Sequence, residues 1–117
     1  MQDKKALILW LLQRVSALLI LIVLALHLHK VHYADMESNR ILFADVTVRL
    51  KTLLPLITDS ALLFLGLFHG LNGVRMVALD YGPCHKYERI ISWGLFLIGI
   101  LFFIWGIRGL WAFLNIR

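Results

Sequence analysis

Three long apolar runs divide the chain, from about Ala6 to His29, from about Leu53 to Leu79 and from about Ile90 to Leu114. Each reaches the ~20 residues that a helix needs to cross the hydrocarbon of a bilayer. Lipid offers no partners to backbone polar groups, so a spanning segment of this kind is expected to be helical. A soluble reading fails on size. With 61% hydrophobic residues in 117, the chain is too small to hide its apolar surplus in one soluble core. The expected fold is all-α, a single membrane domain over residues 1–117 whose three transmembrane helices form part of a larger helical bundle.

The segments between the runs set the topology. "DYGPCHKYER" is short, and Gly82-Pro83 is a stop and turn, so the second and third helices are expected to be antiparallel neighbours. "KVHYADMESNRILFADVTVRLK" is mixed and polar. Its part "ILFADVTVRL" is read as a short interfacial helix or an extension of the second span. Pro55 falls in the first turn of the second helix, where proline is tolerated. "MQDKK" before "ALILWLL" has the start of a secretory leader. Gln13 and Arg14 interrupt that run and it continues to Leu26, so a retained span is expected.

Charge does not settle orientation. The 12 Lys and Arg residues divide six and six between the two sides of a three-span chain. The Lys4-Lys5 pair and the short second loop lean toward the cytoplasm. The net charge of +5 sits near span ends, which points to lipid head groups and not to nucleic acid. Cys84 is the single cysteine, which excludes an internal disulfide and a CxxC metal site.

Ionisable groups inside an apolar span are functional candidates by default. "ALLFLGLF" runs directly into "HGLNGVRMVALDYG", which places His69 deep in the second span. At 100° per residue Gly66, Asn72, Gly73, Met76 and Asp80 lie on or near the face of His69. Asp80 is about 20° off that direction and ~16 Å further along the axis. Gly66, Gly70 and Gly73 remove bulk on or beside the histidine, which admits a partner helix or a flat cofactor. Two readings stand: a neutral imidazole as an axial haem ligand, or a histidine hydrogen-bonded to a neighbouring helix. Asn72 is read as a bond across helices, with the orientation of a haem propionate as the sharper alternative.

In the first span, "LLQRVSALLIL" carries Arg14 and Ser16. Arg14 either snorkels to the surface or joins Asp80 and Tyr81 at one interface, where a cation, an acid and a phenol suit a quinone head group or a haem propionate. His27, His29 and His32 lie near the opposite interface and read as solvated histidines, with a second haem or a proton path as the sharper alternative. Asp59 is a helix-start charge or a proton-path residue. Trp93, Trp105 and Trp111 read as lipid-facing or belt residues.

"RVSA" in the first span, "HGLNGVRMVALDYG" closing the second and the tail "FIWGIRGLW" together resemble the membrane-anchor subunits of succinate dehydrogenase. These are the small three-helix cytochrome b subunits of succinate:quinone oxidoreductase. The specific part is a histidine followed eleven residues later by Asp-Tyr, with Arg-x-Ser in the first helix. The resemblance implies His69 as an axial ligand of haem b and its iron, Tyr81 as the hydrogen-bond donor to quinone and Asp80 as its acidic neighbour. It places Arg14 and Ser16 near the quinone, ubiquinone or menaquinone, and the haem propionates. "GVRM" is similar to the larger of two anchors, but Met76 stands where that anchor often has histidine. The short N-terminus is similar to the smaller anchor, which is preferred. The implied partners are a second cytochrome b anchor, an iron-sulfur subunit and a flavoprotein subunit that carries the succinate chemistry. The rival reading is a small structural or transport protein of three helices with no redox role.

Overall fold

The structure, a computed structural model, describes residues 2–33, 47–48 and 50–114. Helix α1 is Gln2–Tyr33, α2 is Leu53–Asp80 and α3 is Glu88–Leu114. A 3₁₀ turn, Gly82–Tyr87, joins α2 to α3. The 28 residues of α2 measure about 42 Å, enough to pass a hydrocarbon layer of ~30 Å. All three helices are long and apolar enough to cross a membrane. Residues 41–46 and 49 of the expected interfacial helix lie outside the described residues, as does the side chain of His32.

Local chemistry explains where the helices stop. Thr52, in extended conformation, precedes α2, and Pro55 sits in its first turn, where a missing N–H removes no helical bond. At the other end Tyr81 turns extended and Gly82-Pro83 opens the 3₁₀ turn. The Cys84 N–H donates to the Tyr81 carbonyl at 2.9 Å and closes the corner. The turn reverses the chain, so α3 runs antiparallel to α2, as expected from Gly82-Pro83.

Helix α2 is the middle element. It packs against α1 and against α3, while the described parts of α1 and α3 make no such contact with each other. The molecule is an open layer, 54 × 26 × 22 Å. Its burial pattern is inverted relative to a soluble domain. Leu50, Ser16, Thr47 and Asn72 are the buried residues among those described, and three of these four are polar. Meanwhile Leu21 is 64% exposed and Trp105 73%. Surfaces of this kind belong against lipid or another apolar helix.

Candidate functional site

A group of polar residues from the first two spans meets on the seam between α1 and α2. His69 lies near the middle of α2, opposite Gln13 and Ser16 of α1. Ser16 Oγ and His69 Nδ1 are 3.0 Å apart, and Ser16 Oγ also donates to the Gln13 carbonyl at 3.0 Å. Gln13 Nε2 donates to the His69 carbonyl at 3.0 Å and lies 3.4 Å from His69 Nε2. Asn72 Nδ2 donates to Gln13 Oε1 at 2.7 Å and reaches the Leu9 carbonyl at 3.4 Å. Asn72 therefore bonds across helices, as its sequence position suggests. Ser16 and Asn72 are 4% and 7% exposed, so the network is shielded from lipid. Polar groups buried at this depth need such partners.

Gly73 makes the approach possible. A Cβ at this position would stand 3.2 Å from Gln13 Nε2, tighter than an ordinary contact. Gly66 and Gly70 differ: a Cβ there would meet nothing within 4 Å. On the helix wheel they lie about 60° and 100° to one side of His69. The glycines thus divide into one that seats Gln13 and two that leave a flank of His69 open.

A second polar pair lies ten residues along α2, about 15 Å from His69. His27 Nδ1 of α1 meets Asp59 Oδ1 of α2 at 2.7 Å. Both side chains are shielded, so His27 is an inter-helix partner and not a solvated histidine. His29 is exposed.

The remaining candidates are more scattered. Asp80 and Tyr81 are exposed at the end of α2, and Tyr81 retains 68% of its accessible surface. Arg14 is two positions from Ser16, about 200° around α1, and faces elsewhere. Its guanidinium lies 5.2 Å from the centre of the Trp10 ring, a cation–π distance. Because Gln13 is level with His69 and Asn72, Arg14 enters the bundle well short of Asp80. The structure therefore joins Ser16 to His69, keeps Asp80 beside Tyr81, and places Arg14 over Trp10. Sequence reasoning missed Gln13 as a functional partner. The available signal was an uncharged amide three residues before Ser16, on one helical face.

On the far side of α2, Arg75 Nε donates to Ser92 Oγ at 2.8 Å and its Nη2 pairs with Glu88 Oε1 at 2.7 Å. Beside them a cleft of about 310 Å³ opens between α2 and α3, lined mainly by Leu and Phe side chains.

Long apolar helices, lipid-compatible exteriors and a buried polar seam define an integral membrane protein of the helical-bundle class. Residues 1–108 match the model of the succinate dehydrogenase/fumarate reductase transmembrane subunit. The chain belongs to that family, and it is a subunit of a membrane complex with other succinate dehydrogenase/fumarate reductase subunits. No curated protein and no solved structure matches the chain.

Proposed function

We propose that the chain is the smaller cytochrome b anchor of a succinate:quinone oxidoreductase, that His69 gives one axial bond to haem b, and that Asp80 and Tyr81 contribute to the quinone site. The observation that carries this reading is the environment of His69. Its imidazole sits at mid-membrane depth with Nδ1 held by Ser16 at 3.0 Å. Its Nε2 meets only the longer 3.4 Å contact to Gln13. A metal-ligating histidine uses one ring nitrogen for the metal and gives the other to a fixed partner. The donor set fits: one nitrogen is tethered, one is lightly covered, and Gly66 and Gly70 leave a flank open. Haem b, when bound, supplies a one-electron redox centre.

Among the described residues no second histidine lies beside His69, so a second ligand to the haem would have to come from the second anchor chain. Ser16 orients His69, while Arg14 would have to leave the Trp10 ring to offer its cation to a propionate or a quinone head group. The iron-sulfur and flavoprotein subunits dock at the Asp80–Glu88 end, on the cytoplasmic side of a bacterial inner membrane. In this reading succinate oxidation takes place in the flavoprotein, and this chain is a non-catalytic anchor that helps pass electrons to quinone.

The intact complex tests the proposal. His69→Ala is expected to lose the low-spin b-type band in a reduced-minus-oxidised spectrum. An unchanged band rejects His69 as a ligand. Tyr81→Phe keeps the ring and removes the phenol donor, a bond worth about 0.5–1.5 kcal/mol. Quinone-coupled succinate oxidation should fall several-fold while oxidation coupled to an upstream artificial dye is kept. Unaltered quinone turnover would remove Tyr81 from the site.

A further inference from the structure

We propose that Ser16 and Gln13 lock neutral His69 in the Nδ1–H tautomer, and that the Gln13 amide is the group that must leave Nε2 before a metal binds there. The inference rests on the reading of His69 as a ligand, but the tautomer is argued from protons alone.

Two independent chains of donors and acceptors reach the same answer. Ser16 has one hydroxyl proton. The Gln13 carbonyl can only accept, so the 3.0 Å contact between them uses that proton. Ser16 Oγ then has only lone pairs for His69, and the Nδ1 contact at 3.0 Å requires a proton on Nδ1. The second chain starts from the backbone. The His69 carbonyl can only accept, so the Gln13 atom 3.0 Å from it is the amide nitrogen. That leaves Gln13 Oε1 to accept from Asn72 at 2.7 Å, which fixes the amide orientation. The second N–H of Gln13 is thus left for His69 Nε2, which must be the acceptor in that contact. A neutral imidazole with Nδ1–H and a lone pair on Nε2 satisfies both chains. The opposite tautomer would violate both.

The two contacts differ in strength. The 3.0 Å bond at Nδ1 lies in the usual range, whereas 3.4 Å at Nε2 exceeds it and is weak. The ring is therefore held from the Nδ1 side, and its basic nitrogen carries a removable cover.

The test uses ¹⁵N-histidine labelling of the whole complex, purified from haem-depleted and from haem-replete cells, with His69→Ala assigning the signal. In the haem-depleted complex at neutral pH, His69 is expected to show a protonated Nδ1 and a lone-pair Nε2. Ser16→Ala leaves only the weak Gln13 contact at Nε2 and should admit a minor Nε2–H population, and Ser16→Thr, which keeps the hydroxyl, should restore the single form. In the haem-replete complex Ser16→Ala should weaken haem retention about 10-fold or more, the usual effect of removing an outer partner of a ligating histidine. The midpoint potential should rise, because a less basic Nε2 stabilises the ferric state less, and Ser16→Thr should reverse both changes. Gln13→Leu should speed haem uptake by the depleted complex. An Nε2–H tautomer in the parent protein, or unchanged tautomer and haem retention in Ser16→Ala, overturns the proposal. A low-spin band that survives His69→Ala, with the tautomer result intact, would instead reject the ligand role and leave the lock standing.

Discussion

Toward α1, the middle helix presents Asp59, His69, Asn72 and Gly73; toward α3, it presents Leu63, Phe64, Leu71 and Arg75. The first face makes specific hydrogen bonds at two depths, through Gln13 and Ser16 and through His27. The second face fits bulk into gaps. Gly99 sits against Leu71, and Gly106 against Leu63, where an added Cβ would come within 2.8 and 2.6 Å of a leucine methyl. Phe64 and Phe103 meet edge to face at 6.0 Å. Among the described residues, the polar bonds on this side lie at one end, at Arg75, Ser92 and Glu88. Lipid tails are as apolar as leucine, so neither seam is driven by expulsion of water. One is specified by donors matched to acceptors, the other by small residues matched to large ones. Redox candidates fall on the first kind because a polar group held in fixed orientation is what a ligand site needs.

The largest effect should come from overfilling the apolar seam. Gly106→Leu places a whole side chain where even a Cβ is crowded, and should cost about 1–3 kcal/mol. Thermal unfolding of the detergent-solubilised complex would measure it. If the seams are separable, the spectrum of the folded fraction should be unchanged. If His69 holds a haem as proposed, a shifted b-type band would show that the two faces of α2 are coupled.

A smaller loss is expected from the polar seam. Asn72→Leu removes the donor to Gln13 Oε1. Hydrogen bonds between membrane helices are worth about 0.6 kcal/mol on average and about 1.7 at most, and the stability change should fall in that range. Here the spectrum should respond, because Gln13 then loses one of its anchors beside His69. A stability loss without any spectral change would mean that the network is packing alone.

The smallest effect belongs to Glu88. Its partner Arg75 is at hydrogen-bond distance, but the Glu88 side chain is 43% exposed. Glu88→Gln should therefore cost less than about 1 kcal/mol, the usual range for exposed pairs. A larger loss in the same unfolding assay would show that this end of the seam is buried in the assembled complex.

The crossings were legible in the sequence because bilayer thickness dictates run length, and Gly82-Pro83 marked the reversal because its backbone preferences are local. The depth of His69 and its company of glycines followed from the helical period. Partner choice across the seam did not. Gln13 reads as an interruption of an apolar run because its partners lie 56 and 59 positions away. His27 was similarly opaque, since Asp59 is 32 positions distant. The direction of Arg14 depended on Trp10, one turn earlier on the same helix, which competes for the guanidinium with any partner at the membrane surface. Length and period are properties of one segment; pairing depends on the register between two.

The separation of α1 from α3 also orders events in time. Among the described residues, every hydrogen-bond partner of His69 and Asn72 outside the helical backbone ladder lies between Leu9 and Met76. A nascent chain emerges from its N-terminus. The hydrogen bonds of the histidine seam can therefore form within the first two helices alone, without α3. The histidine seam is self-contained within the first two helices, and the third helix, on joining them, completes the bonds of Arg75 through Ser92 and Glu88.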